Sequence, residues 1–149
     1  MPAAEEPSSP PHRLSWEPGF SVGQALLDTQ HQQLLSQCNV LADLCTTENS
    51  PGRELKFDLA FAQLRTMART HFETEAALLD RYDPEQAEDH RIEVEEFDYV
   101  ADEIATTDNF DRLELQRFVS LWFMGHIAGS ASQIRAVLAA EGGPSSAVP

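Results

Sequence analysis

Lysine is almost absent from this chain: Lys56 stands alone, and 10 Lys and Arg face 25 Asp and Glu for a net charge of −15 at pH 7. A surface this acidic repels phosphate backbones and anionic headgroups, which argues against nucleic acid and membrane surfaces as partners. Cysteine is nearly as scarce. Cys38 and Cys45 make no disulfide framework, and in an unexported chain they are expected to be reduced thiols. No apolar run approaches the ~20 residues that span a bilayer. The opening MPAAEEPSSPPH lacks the basic and apolar stretches of a secretory signal, so a cytoplasmic location is expected. Strand-like alternation, internal repeats, phosphate-binding loops and nucleophile–base pairs are missing too, which leaves conventional catalysis without sequence support. What remains, at 149 residues, is the length of one domain with a core of its own.

The ends differ in composition from the middle. Residues 1–12 hold four of the nine prolines, and 141–149 reads EGGPSSAVP, so both are expected to be mobile tails around a domain at 13–140. Between them the apolar period is helical. Leu27, His31, Leu34, Leu35, Cys38, Leu41 and Cys45 mark one inward face of a first helix, near 22–46. The turn residues TTENSPG follow, then a second helix near 53–80 with Phe57, Leu64, Ala68, His71, Glu75 and Leu78 inward. Asp83 and Pro84 suit the cap and first turn of a third helix near 84–106, carrying His90, Val94, Phe97, Ala101 and Ile104. Asp108 or Asn109 would cap a fourth near 110–140, through Leu115, Phe118, Trp122, His126, Ile134 and Val137. Four amphipathic helices with short connections predict an all-α, up-down-up-down antiparallel bundle with an N-terminal arm.

The inward faces carry groups that a purely apolar core would avoid. Four of the five histidines, His31, His71, His90 and His126, fall on them, one per helix, and Glu75 follows His71 by one turn. A buried carboxylate needs a partner, a proton or a metal. Imidazoles with a carboxylate in a bundle core form a ligand set suited to non-haem iron. Cys38 and Cys45 lie seven and fourteen residues beyond His31, ~10 Å per step along the axis, too far to share its metal and too far apart for a disulfide. Both are expected to be small buried core residues.

Four segments resemble the hemerythrins of bacteria. WEPGFSVGQALLDTQHQQLL at 16–35 is similar to the family's opening, where a Trp and an S-V-G precede an I/L-D-x-Q-H segment. HFETE at 71–75 resembles its H-F-x-x-E motif. EDHRIEVEEF at 88–97 and LWFMGHIAGSA at 121–131 resemble its H-x-x-x-H and W-L-x-x-H-I-x-x-x-D segments, each incompletely. The resemblance implies a bundle around two irons. One iron has two histidines and an open position that binds O₂. The other has three histidines, and a Glu and an Asp bridge the pair. Carried over by position, His31 and His71 would serve the O₂-binding iron, Glu75 the bridge, and His90 and His126 the second iron.

Two departures fall on that second iron. Val94 stands where the motif has its other third-helix His, and Ala131 where it has the bridging Asp. Both should weaken the second site. Glu93, three residues after His90, is the nearest candidate substitute, although Glu at the edge of such a face is usually solvated. Asp28 and Gln30 look like support for the start of the first helix rather than ligands. The resemblance thus implies an iron protein that binds O₂ or a related diatomic as carrier, store or sensor. Ligand loss leaves two alternatives: a mononuclear or atypical iron centre acting on O₂, peroxide or NO, or a metal-free interaction bundle.

Overall fold

The computed structural model describes residues 11–46, 52–107 and 111–140. The expected tails fall outside them, apart from Pro11 and His12, as do the centre of the TTENSPG turn and the expected caps Asp108 and Asn109. After a short 3₁₀ turn at Pro18–Phe20 come four helices: α1 (Ala25–Thr46), α2 (Arg53–Tyr82), α3 (Pro84–Thr106) and α4 (Arg112–Ala140). The described residues contain no strand. Each helix packs on its neighbour in sequence, and α1 also packs on α4, which closes a four-helix bundle.

Local chemistry accounts for the helix ends. The first helix starts at Ala25 rather than near Val22, because Gly23 takes a left-handed φ of 83°. Gln24 then accepts a hydrogen bond from Leu27 N at 2.8 Å, and Asp28 accepts from Val22 N (2.8 Å) and Ser21 Oγ (2.7 Å). Asp28 therefore supports the helix start, as its position suggested. Asp83 caps α3 by accepting from Gln86 N (3.3 Å), with Pro84 at the first helical position. At α4 the cap is Asp111, which accepts from Leu113 N and Glu114 N.

The N-terminal arm lies along the bundle and is held by two side-chain amides. Gln116 accepts from His12 N (2.9 Å) and donates to His12 O (2.7 Å). Asn39 pairs the same way with Leu14, both bonds at 2.8 Å.

The inward line of α1 is buried as its spacing predicts, except Cys45, which is only half-buried beside Arg112 and the end of the helix. In α4 the spacing misassigned part of the face. Phe118 and Trp122 are partly exposed, whereas Val119, Phe123 and Ile127 are fully buried. Apolar residues ring much of this helix, so period alone leaves its rotation ambiguous. Val94, Ile104 and Leu78 also sit at the margin of the core rather than inside it. Phe57, Phe97 and Phe123 are among its largest fully buried side chains.

Candidate metal centre

Each helix contributes one imidazole to the bundle interior, and Glu75 on α2 lies among them. Glu75, His31 and His71 are fully buried, and His126 and His90 are 5% and 9% exposed. The i,i+4 spacing puts His71 and Glu75 on one face of α2. Packing of α1, α3 and α4 around that face supplies the rest.

The carboxylate divides the four rings two and two. Its Oε2 lies 3.2 Å from His31 Nε2 and 3.1 Å from His71 Nε2. Its Oε1 lies 3.0 Å from His90 Nε2 and 2.8 Å from His126 Nε2. One donor atom each from His31, His71, Glu75 and His126 lie within 4.8 Å of one another, with His90 outside that tighter group. Trp122 stacks on His126 (centroids 5.0 Å, planes 9° apart), and Phe72 meets the same ring edge-on at 5.4 Å. Aromatic faces thus wall the polar cluster and hold His126 in place.

The proton on His71 can be located from its neighbours. The backbone carbonyl of Thr70 can only accept, so the Thr74 hydroxyl donates to it at 3.0 Å. Thr74 Oγ1 must then accept from Gln30 Nε2 (3.2 Å), which turns Gln30 Oε1 toward His71 Nδ1 at 2.8 Å. The imidazole therefore carries its proton on Nδ1 and its lone pair on Nε2. That Nε2 is buried without a hydrogen-bond partner although Glu75 Oε2 is only 3.1 Å away. A lone pair facing a carboxylate oxygen is a repulsive contact unless a cation lies with them. Burial lowers the His71 pKa to about 4, against the opposing pull of Glu75, so the ring is neutral at pH 7.

Charge elsewhere in the cluster follows the same geometry. Burial pushes the Glu75 carboxyl up, but the charge of His126 and hydrogen bonds from His126 and His31 outweigh it and hold it well below the usual carboxylate range. Burial likewise opposes the charge on His126, yet Glu75 and then Glu93 raise its pKa to about 9. Without metal, the buried carboxylate is balanced by a proton on His126, a place a metal cation could take. Neutral imidazole nitrogens around a carboxylate suit a divalent first-row transition metal, iron included.

The remaining sequence candidates fall differently. Glu93 is half exposed, and its Oε1 approaches His126 Nδ1 at 3.4 Å, on the far side of the ring from Glu75. It supports His126 from outside and does not join the converging donor set. Gln30, expected to support the start of α1, instead spans to α2 and orients His71. Its adjacency to His31 was the available signal, but which helix it would face was not readable from spacing. Ala131 is 1% exposed in an apolar cluster with Val22, Leu27 and Ile134. Val94 is partly buried and lines, with His90, Phe72 and Ala68, an apolar cleft of about 200 Å³ between α2 and α3.

No described helix is long and apolar enough to cross a membrane. A family model described as the hemerythrin HHE cation binding domain matches residues 22–135. No curated protein and no solved structure matches the chain.

Proposed function

Because the chain belongs to the hemerythrin HHE cation-binding domain family, we propose that its central cluster holds non-haem iron and binds O₂ or a related diatomic. The observation that carries this reading is the two-and-two division of the imidazoles about one carboxylate, with the lone pair of His71 held toward the same oxygen as His31. His31, His71 and Glu75 would hold one metal. His90 and His126 would hold a second, sharing Glu75 and lacking the side chains that Val94 and Ala131 replace. Iron so held would supply a redox-active centre able to take a small diatomic.

The chain's own residues do the rest. Gln30 fixes which nitrogen of His71 is free. Glu75 stays ionised between four imidazoles. Full burial of His31, His71 and Glu75 keeps bulk water from that side of the cluster. The cleft at Val94 and His90, walled by Phe72 and Ala68, is apolar enough to admit a neutral diatomic.

One observation favours a second reading, a single iron. His31, His71, Glu75 and His126 alone form the tighter donor group, and His90 stands outside it. A mononuclear centre of that kind would act on O₂, peroxide or NO. Metal content per chain, measured with the ultraviolet–visible spectrum in air, tests both. Fewer than two irons per chain and a weak or absent oxygenated spectrum are expected. Two irons with a full oxygenated spectrum would refute the account of Val94 and Ala131 as losses. No iron after anaerobic reconstitution would refute the metal reading itself.

A further inference from the structure

The cluster is sealed unevenly. His31, His71 and Glu75 are fully buried, and the only histidines of the four with measurable exposure are His126 and His90. Both of these line a cleft of about 320 Å³ between α3 and α4. Its α3 wall is Gln86, Asp89, His90 and Glu93, and its α4 wall includes Gly129, Ser130 and Gln133. On each helix these residues recur at three- and four-residue steps, so two polar stripes flank the imidazoles, with Asp89, Glu93 and Gln133 exposed and Ser130, His90 and His126 buried. The donors along them are oxygens: two carboxylates, a hydroxyl and two amides. Gln86 Oε1 is buried without a hydrogen-bond partner. Gly129 leaves the α4 wall open, since a Cβ there would meet nothing within 4 Å.

We propose that this α3–α4 cleft is the route by which a divalent cation reaches the cluster, with Asp89 and Glu93 as its first, transient carboxylate ligands. The inference rests on the metal reading above. A hydrated dication loses water in steps, and each step is favourable only where a protein oxygen replaces the water lost. The cleft offers such oxygens beside His90 and His126, from exposed Asp89 and Glu93 to buried Ser130. Carboxylates at its mouth also concentrate cations and raise the rate of association. The other opening, between α2 and α3, concentrates cations less. Its carboxylates, Glu73, Glu95 and Asp98, are matched by three arginines, Arg65, Arg69 and Arg91, and most of the surface it exposes is apolar.

The test is stopped-flow uptake of cobalt(II) by the metal-free full chain, followed by cobalt absorption, for wild type, Asp89→Asn and Gly129→Leu. Asp89→Asn is expected to slow uptake by about two- to tenfold at low salt, with the difference shrinking as salt screens the charge. Gly129→Leu, which adds a side chain to the open wall without a helix penalty, is expected to slow uptake by about tenfold at every salt concentration. A change in route alone scales uptake and release together, so cobalt per chain and its affinity should match wild type in both variants. Wild-type uptake rates in both, with full cobalt content, would overturn the route. Altered affinity at unchanged uptake rate would overturn it too, since these residues would then shape the site itself. Failure of the wild-type chain to bind cobalt at all would instead refute the metal reading on which the route depends.

Discussion

Replacing Gln30 by leucine is expected to damage the metal centre without removing a single ligand. Gln30 Oε1 accepts the Nδ1 proton of His71 at 2.8 Å, and the His71 side chain is fully buried. Leucine has a similar volume and no acceptor, so the variant strands a buried N–H, at a cost of about 1–3 kcal/mol. Two responses are open to the ring. It can keep its orientation, in which case the metal-free protein loses that stability. It can also move its proton to Nε2, where Glu75 Oε2 is 3.1 Å away and accepts it, in which case the lone pair is lost from the metal side. The second response penalises the metal-bound form directly, because Nε2 must be free there; in the first, an Nδ1–H without an acceptor leaves Nε2 a weaker and less well oriented ligand. A loss of about 1.4–2.8 kcal/mol in metal affinity, 10- to 100-fold, is the expected scale for a hydrogen-bond partner of a ligating histidine. Gln30→Glu retains an acceptor and should bind metal at least as well as wild type. Thr74→Val removes only the group that sets the polarity of the amide, and should cost a few-fold. Competitive cobalt titration of the four proteins, with thermal melts of their metal-free forms, reads both quantities. Affinity for Gln30→Leu within a factor of about two of wild type would refute the assignment of the His71 proton and the role given to Gln30.

Restoring the two replaced positions should not work equally well. Val94 lines a cleft beside His90, so Val94→His has room and should raise the metal content per chain, measured after anaerobic iron reconstitution. Ala131 is packed with Val22, Leu27 and Ile134, so Ala131→Asp buries a carboxylate among apolar side chains and should destabilise the metal-free protein by about 2–5 kcal/mol in denaturant titration. Equal melting of Ala131→Asp and wild type without metal would show that the new carboxylate escapes that cluster. The two thiols should separate under native labelling with a thiol reagent. Burial pushes Cys38 up to about 12 and leaves it inert, while half-buried Cys45 reacts first. Equal rates would place α1 in the wrong rotation.

The expectation that both cysteines lie in the core is the clearest case of a face read correctly and an end read wrongly. Leu27, His31, Leu34, Cys38 and Leu41 share one buried line because helical period repeats them every three or four residues. Period says nothing of where the neighbouring helices stop, and at Cys45 the cover thins. The same limit explains α4. Its rotation is decided by which of Phe118, Val119, Trp122 and Phe123 best fits between α2 and α3, and the fully buried two are Val119 and Phe123.

The helices, the cap of α3 at Asp83, the support of the α1 start by Asp28, and the presence of one histidine on each inward face were all legible in the order of residues. Those properties depend on neighbours within about two turns of one another, where spacing and geometry are the same thing. Depth and direction across the bundle were not. That His31 and His71 meet one oxygen of Glu75 while His90 and His126 meet the other depends on the axial offset of four separate helices. That Gln30 orients His71, and Glu93 reaches the back of His126, depends on side chains crossing between helices 41 and 33 residues apart in sequence. Sequence spacing constrains a residue against its own helix, whereas only close packing of one helix on another determines which atom it faces.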